Sequence, residues 1–410
     1  MSRELDDWID AYVEYTDSSE SPLSYHTWSA LSVIAGALQR KVYLPWGLGQ
    51  VIYPNMYIVL VGASGRTRKG SALGIAKEFL KNTSGVSVAP ESSTGREAMI
   101  LAMKRAVQQI ENPTTRQLET HCSISAVSEE LSVFLGQGNI TYLANLTDWY
   151  DSKDEWEYES VGRGRDRLSG LCLNLIGGTA PDWLQSMIPA EAVGGGFTSR
   201  VIFIVEERKR KSVPKHVMTE REKWLQEALL ADLERISKLG GAFEMDKEAE
   251  NLYTDWYIDE DTKLSNGQPV IDDPRFAGYC ERRATHIRKL MMCCAAARSD
   301  NLIIEAADFY KAKGLLESAE VHMSKTFGGL GRARNSDILE NIKNFIQRMG
   351  ISTRKTVLAK FYRDVTPPEL NQIEDTLRGM GVIKIKSFPL DGDKSYTWIA
   401  KDASSQHEEP

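Results

Sequence analysis

The chain has 410 residues, of which 42% are hydrophobic and 26% are charged, with a formal net charge of −7. This composition is typical of a globular protein with about two or three domains. No stretch approaches the roughly 18 uninterrupted apolar residues of a membrane span. The five cysteines show no C-x-x-C spacing, and the six histidines are scattered. These features predict a cytoplasmic protein with no membrane partner, no disulfide framework and no histidine-based metal site.

The first 50 residues are predicted to form an N-terminal helical segment. "DDWIDAYVEY" places Trp8, Ile9 and Tyr12 on one apolar face, and "SYHTWSALSVIAGALQRKV" is a longer apolar helix. Residues 51–215 then alternate apolar strands with helices. This alternation predicts an α/β domain with a mostly parallel sheet that helices cover on both faces.

The stretch "YIVLVGASGRTRKGSALGIAKEFL", residues 57–80, combines an apolar strand, a glycine-rich turn and a helix. This is the context of a phosphate-binding P-loop, but the usual spacing G-x-x-x-x-G-K-[ST] is not met. If Lys69 is the P-loop lysine, Arg68 stands where the second glycine belongs and Gly70 where the hydroxyl belongs. A purely structural turn is the alternative interpretation.

Phosphate binding requires backbone N–H groups at a helix N-terminus and a cation. We predict that Lys69 supplies the charge and that the Ser71 hydroxyl contributes to a Mg²⁺ site. The predicted nucleotide-binding residues are Gly62, Ser64, Gly65, Lys69, Gly70 and Ser71.

A second candidate feature is Ser128-Glu129-Glu130, which follows the apolar strand in "CSISAVSEE". Acids at the end of such a strand are typical of a Walker B motif. We predict that Glu129 holds Mg²⁺ and that Glu130 orients and deprotonates the attacking water. The alternative is an ordinary helix start, where glutamate is common.

The third feature is "GGGFTSRVIF", which places Arg200 after a glycine loop at the start of a strand. We expect this loop near the carboxyl ends of the strands, where Arg200 would reach a γ-phosphate. It would stabilise the transition state in its own subunit's site or, as we favour, in a neighbour's. A surface arginine without a catalytic role is the alternative.

These motifs, with "TWSALSVIAGALQRKV … YPNMYIVLVGASG" and "LNLIGGTAPDWL", resemble a family of P-loop ATPases from phages, plasmids and other mobile elements. The family is described as primase–helicase-like with a domain of unknown function, and the resemblance covers roughly residues 20 to 325. It implies a RecA-like core related to replicative helicases. Its Walker lysine falls on Lys69, its Walker B acids on Glu129 and Glu130, and its post-sheet arginine on Arg200. The loop spacing and Arg68 depart from the family pattern.

The part of the chain after residue 215 is predicted to be helical at first and then to form a small separate unit. Residues 216–330 contain four helical patterns, at about 218–238, 246–265, 273–298 and 305–326. Residues 331–400 are predicted to form a winged helix, with three helices and a hairpin turning at Asp391-Gly392. The last ten residues, 401–410, are predicted to be a disordered tail.

Three basic stretches are candidates for nucleic-acid contact. In the first, "GRGRDR", a predicted loop carries Arg163, Arg165 and Arg167, which could follow a phosphate backbone; a solvated turn is the alternative. In the second, Lys384 and Lys386 belong to the predicted wing, although winged helices also dock proteins. The third stretch, residues 208–211, is interpreted as a solvated linker.

Together these features predict an ATP-hydrolysing DNA motor, a ring-forming replicative helicase-like ATPase that uses ATP and Mg²⁺. Expected partners are DNA, single-stranded in preference, and further copies of the chain in a closed homo-oligomer, a hexamer. A separate primase or other replication proteins would act beside it. The alternative is an ATP-switched DNA-binding initiator or regulator without motor activity, and a third option is a structural P-loop module.

Overall fold

The computed structural model describes residues 3–111, 116, 118–136, 139–160, 164–181, 183–184, 196–327, 334–362, 365–387 and 393–399. The chain divides into two compact units, Met1–Phe327 and Gly328–Pro410. The predicted tail at 401–410 and the predicted turn at Asp391-Gly392 lie outside the described residues. The helices after residue 216 belong to the same compact unit as the sheet.

The helices of the first unit occur in two groups, one around the sheet and one after it. They are α1 (Trp8–Tyr15), α2 (Leu23–Leu38), α3 (Lys69–Lys81), α4 (Arg96–Arg105), α5 (Leu131–Leu135), α6 (Ile140–Tyr150), α7 (Glu220–Ile236), α8 (Lys247–Ser265), α9 (Ala277–Arg298) and α10 (Ala306–Met323). The last four confirm the helical patterns predicted after residue 215, within a few residues at each end.

The strands of the first unit range in length from two to eleven residues. They are β1 (Val42–Pro45), β2 (Val51–Ile52), β3 (Tyr57–Val61), β4 (Gln108–Glu111), β5 (Leu118–Ser128), β6 (Glu155–Ser160), β7 (Gly164–Ser169), β8 (Leu171–Thr179), β9 (Val201–Val205), β10 (Gly241–Ala242), β11 (Glu244–Met245) and β12 (Ile303–Ile304).

The main sheet has five strands in the order β4-β5-β8-β3-β9. Strands β5, β8, β3 and β9 are parallel, and β4 pairs with β5 in the antiparallel sense. All residues of β3 and β8 are buried, as expected for central parallel strands with continuous apolar sequences. The α/β class is confirmed, whereas the antiparallel edge strand β4 was not predicted.

The register fixes which residues share an edge of the sheet. Val61, at the end of β3, is paired with Thr179 and Val205, and Tyr57, at its start, is paired with Val201. The carboxyl ends of β3, β8 and β9 therefore meet at one edge. Their amino ends meet at the opposite edge, about 13 Å away for strands of this length.

Helices pack on both faces of the sheet. Adjacent glycines of β8 face opposite ways: a Cβ on Gly177 would contact Leu131 of α5, and a Cβ on Gly178 would contact Leu73 of α3. Buried polar contacts also connect these layers, because Asn174 donates to the Ser32 carbonyl of α2. The predicted two-sided cover is confirmed.

The N-terminal helices are joined tightly to the helices that follow the sheet. The indole of Trp8 donates to the Leu229 carbonyl of α7, and Asp232 accepts from the backbone N–H of Leu5. Helix α7 begins with a capping box, in which Thr219 and Glu222 satisfy each other's backbone N–H groups.

The second unit contains α11 (Arg334–Met349), β13 (Ile351–Thr353), α12 (Arg354–Phe361), α13 (Pro367–Gly379), β14 (Ile383–Ser387) and β15 (Lys394–Trp398). Its antiparallel sheet has the order β13-β15-β14, and the unit has its own apolar core. The buried Glu374 carboxylate joins the parts: it accepts from Arg354 and Lys394 and, at 2.6 Å, from the Tyr396 hydroxyl.

Among the helices that the structure describes, none combines the length and apolar character needed to cross a membrane.

Candidate functional site

The glycine-rich loop joins the end of β3 to the start of α3, at the carboxyl edge of the sheet. The Gly62 N–H donates to the Thr179 carbonyl of the neighbouring strand at 3.1 Å. A Cβ on Gly62 would lie 2.6 Å from the Thr67 hydroxyl and 2.7 Å from the Tyr25 hydroxyl. Only glycine fits there, so Gly62 shapes the loop by allowing this close approach.

Arg68 stands where the usual P-loop sequence has glycine, and its backbone explains that preference. It is left-handed, with φ 57° and ψ 37°, and is the N-cap of α3. Glycine adopts this conformation without steric cost, whereas other residues are strained in it. The Arg68 side chain forms an ion pair with Glu20 at 2.7 Å.

The loop and the first turn of α3 carry backbone N–H groups available to a ligand. For the N–H groups of Ser64, Gly65, Lys69 and Gly70, no hydrogen-bond acceptor is found within the described residues. Unpaired N–H groups at a helix N-terminus, with the positive end of the helix dipole, attract phosphate. The predicted phosphate-binding backbone is therefore positioned at the end of β3.

Lys69 is the first residue of α3, and its side chain is buried against the loop. The residue is 9% exposed, and its ammonium group donates to the Gly62 carbonyl. Burial lowers the pKa of Lys69, while the nearby Glu130 carboxylate opposes this shift. An anion bound at the loop would favour the charged lysine.

The predicted acids lie beside Lys69, as the strand order requires. A Cβ on Gly70 would be 3.3 Å from the Glu129 carboxylate, and one on Gly178 would be 2.9 Å from the Glu129 carbonyl. Both glutamates are exposed and, with Lys77, line a cavity of about 290 Å³. The structure therefore brings Lys69, Glu129 and Glu130 together at one edge.

Ser71, predicted to share Mg²⁺ with Glu129, lies on another side of α3. It lines a second cavity with Glu20 and His216, whereas Glu129 lines the cavity beside Lys77. Successive helix residues differ by about 100° in direction, so residue 70 rather than 71 faces the glutamates. The joint role of Ser71 and Glu129 as metal ligands stays a prediction, and the two residues line different cavities.

Arg200 lies at the opposite edge of the sheet from the loop. It immediately precedes Val201, which pairs with Tyr57 at the start of β3, so it lies at the amino edge. Its guanidinium is 7% exposed and bonds Asp151 at 2.7 Å and the Gly196 carbonyl at 2.8 Å. The expectation that Arg200 sits near the carboxyl ends is wrong, because a residue before a parallel strand belongs to the amino edge.

Within the basic run at 208–211, interpreted from sequence as a solvated linker, Lys209 contacts the loop. The Lys209 N–H donates to the Arg66 carbonyl, and its ammonium pairs with Glu20. Arg66 and Arg208 are exposed and form no ion pair within the described part of the chain. The position of the run in the chain could have indicated this contact, because the run comes shortly after β9, which ends beside the end of β3.

The arginines proposed for DNA contact in the first unit lie on a strand rather than in a loop. Arg165 and Arg167 belong to β7, which forms a hairpin with β6. They pair with Glu157 and Glu155 across the hairpin. Arg163 lies outside the described residues. The predicted loop placement is therefore wrong for Arg165 and Arg167, and each of these arginines is paired with a carboxylate of β6.

The lysines of the second unit that were proposed to contact DNA follow the alternation of buried and exposed residues along a strand. Lys384 and Lys386 are exposed on β14, whereas Ile383 is buried in the core of the unit.

No group of three or more His, Cys, Asp or Glu side chains suited to a metal ion occurs in the described residues. Mg²⁺ at nucleotide sites is held by one or two carboxylates together with water and substrate phosphates. Glu129, exposed beside the helix start, fits that requirement. Gly70 supplies no hydroxyl, so the protein offers fewer ligands here than the usual P-loop.

No protein-family model matches the chain, and no curated protein sequence matches it either.

Proposed function

We propose that the chain is an ATP-hydrolysing DNA motor with a RecA-like core. The observation that carries this proposal is the convergence of a buried lysine, unpaired helix N-terminal N–H groups and a glutamate pair at the carboxyl edge of a parallel sheet. Ligands of open α/β sheets bind at this edge. A cation and backbone donors suit phosphates, and adjacent carboxylates suit metal binding and water activation.

In this proposal each residue has a separate task. Lys69 exchanges its bond to the Gly62 carbonyl for the β- and γ-phosphates of ATP, while the N–H groups of the loop hold the same phosphates. Glu129 would hold Mg²⁺, which neutralises phosphate charge when bound. Glu130 accepts the proton of the attacking water. Arg200 is no part of its own chain's site, and the loop residue Arg66 and Arg208, next to Lys209, are exposed cations without an ion pair in the described residues.

The second unit supports a DNA-related role within the same proposal. Its three helices and three-stranded antiparallel sheet support the winged helix that this proposal includes. The exposed Lys384 and Lys386 would contact phosphates from the wing. Rings of such motors complete each nucleotide site between subunits, so we propose a closed homo-oligomer, a hexamer.

One observation favours the alternative of an ATP-switched initiator without motor activity. Gly70, not a serine or threonine, faces Glu129, so Mg²⁺ has one protein ligand fewer. A weakly held metal ion lowers the rate of hydrolysis more than it lowers nucleotide binding.

The experiment is steady-state ATP hydrolysis with and without single-stranded DNA. We expect hydrolysis that DNA stimulates, and we expect Glu130→Gln to slow it by roughly two orders of magnitude while ATP still binds. Glu91→Gln is the matched control, because Glu91 lines the same cavity but pairs with Lys77. Binding of ATP without DNA-stimulated turnover would favour the switch, and absence of ATP binding would contradict both.

A further inference from the structure

Beside the loop, on the side of α3 that faces away from the glutamates, lies a cavity of about 450 Å³. This volume is within the range of roughly 300–1,000 Å³ that is usual for small-molecule sites. Its walls come from three parts of the chain: the end of α1 with the following turn, the first turns of α3, and the segment between β9 and α7.

One wall of the cavity is the P-loop helix itself. Arg68, Ser71 and Ile75 line it, and they follow one another along the first two turns after the loop. A group bound there would begin within one helical turn of the unpaired N–H groups of Lys69 and Gly70. The cavity and the phosphate-binding backbone are therefore contiguous.

The opposite wall is fixed to the loop rather than free to move away. Glu20 pairs with Arg68 at 2.7 Å, and the Ser21 hydroxyl donates to the Arg68 carbonyl at 2.8 Å. The turn after α1 is thus connected to the residue that begins α3, so the width of the cavity is set by these bonds.

The lining has an apolar part and a polar part. Tyr15, Ile75, Val213 and Met218 provide apolar surface, and the Tyr15 ring is held by an edge contact with Phe79, with centroids 5.8 Å apart. Such a lining suits a flat aromatic base, which gains from contact with apolar and aromatic side chains.

The charges in the lining argue against a second phosphate in this place. Hydrogen bonds, first of all from Ser18, lower the pKa of Glu222 to about 2, so this carboxylate is charged at neutral pH. Glu20 is a second carboxylate of the lining, and ion pairs with Arg68 and Lys209 balance its charge. An anionic group is repelled by the Glu222 carboxylate, whereas an uncharged base and sugar are not.

We propose that this cavity binds the base and sugar of the nucleoside triphosphate whose phosphates lie on the loop. The base contacts Tyr15, Ile75 and Met218, and the sugar lies beside Ser71 at the start of α3. This inference rests on the proposed nucleotide function. It gives Ser71 a role in nucleoside binding in place of the metal role predicted from sequence.

The test compares the binding of ATP and of inorganic triphosphate by the full-length chain, using calorimetry with Mg²⁺ present. Ile75→Trp fills the cavity from α3, and Met218→Trp fills it from the segment before α7, outside any helix. We expect both variants to weaken ATP binding by roughly tenfold or more and to bind triphosphate within about twofold of the unaltered chain. Ile75→Val is the conservative control and should bind both ligands normally.

Lys69→Ala separates the failure of this inference from the failure of the proposed function. We expect this variant to lose affinity for both ligands, because it removes the phosphate contact. If Lys69→Ala behaves so but both tryptophan variants bind ATP normally, the nucleoside lies elsewhere and the inference is wrong. Equal losses of ATP and triphosphate in the tryptophan variants also overturn it. If the unaltered chain binds neither ligand, the proposed function itself fails.

Discussion

Charged residues at the two edges of the main sheet differ in the partners that they contact. At the carboxyl edge, Lys69 donates to a backbone carbonyl and forms no ion pair with Glu129 or Glu130 within the described residues. At the amino edge, Arg200 is paired with Asp151. The first edge leaves Lys69, Glu129 and Glu130 for a ligand, whereas the second compensates the charge of Arg200 internally.

This difference shows why a glycine-rich turn with a nearby cation is, taken alone, a weak predictor of a nucleotide-binding site. Both "GASGRTRK" and "GGGFTSR" fit that description. Only the first follows a parallel strand and begins a long helix. The second precedes its strand, so its arginine is placed where it supports packing.

Among the variants that distinguish the two edges of the sheet, Arg200→Ala is expected to have the largest effect on stability. Removing the arginine leaves Asp151 without its partner, so we expect the free energy of unfolding to fall by about 2 kcal/mol. That value is below the range for fully buried pairs, because the Asp151 side chain is 41% exposed. Denaturant unfolding measures it, and Arg165→Ala, which breaks an exposed pair, should change stability by less than about 0.5 kcal/mol.

The same variant also tests the assignment of Arg200 to structure. Below its unfolding temperature, Arg200→Ala should hydrolyse ATP at a rate close to that of the unaltered chain. A variant that is fully stable but inactive would place Arg200 in a catalytic site after all. Because Arg200 is at the far edge of its own sheet, that site would belong to a neighbouring subunit.

A smaller effect is expected at Arg68, within the carboxyl edge. Arg68→Gly and Arg68→Ala both lose the ion pair with Glu20, so their difference isolates the left-handed backbone. We expect the glycine variant to be more stable than the alanine variant by about 1 kcal/mol, because alanine retains the strain. Thermal unfolding of the two variants measures this difference. Equal stability would mean that the loop does not hold residue 68 in the left-handed conformation.

Local patterns in the sequence were sufficient to predict most elements. The consecutive apolar residues of β3 and the periodicity of the last four helices of the first unit gave correct types and approximate bounds, because burial determines both patterns. The strand β7 was missed because "GRDRLS" is mostly charged and polar, and its one large apolar residue, Leu168, is buried opposite Trp156 of β6.

The candidate site was predictable only in part. The Lys69, Glu129 and Glu130 set could be found because each residue follows a strand or begins a helix, and the carboxyl ends of parallel strands meet. The cavity that Ser71 lines could not be predicted, because a shift of one residue along a helix changes the direction of the side chain by about 100°. The contribution of residues 208–211 could not be found without knowing that β9 is the neighbour of β3.

The central claim is that nucleotide binds at the carboxyl edge and not at the amino edge. Hydrogen–deuterium exchange of the full-length chain, with and without ATP and Mg²⁺, tests it directly. The amides of residues 63–70 that have no acceptor should exchange rapidly in the free chain and slowly when ATP is bound. Residues 129–130 should also be protected by ATP. Residues 198–200 should be unchanged. Protection at 198–200 with no change at 63–70 would contradict the account.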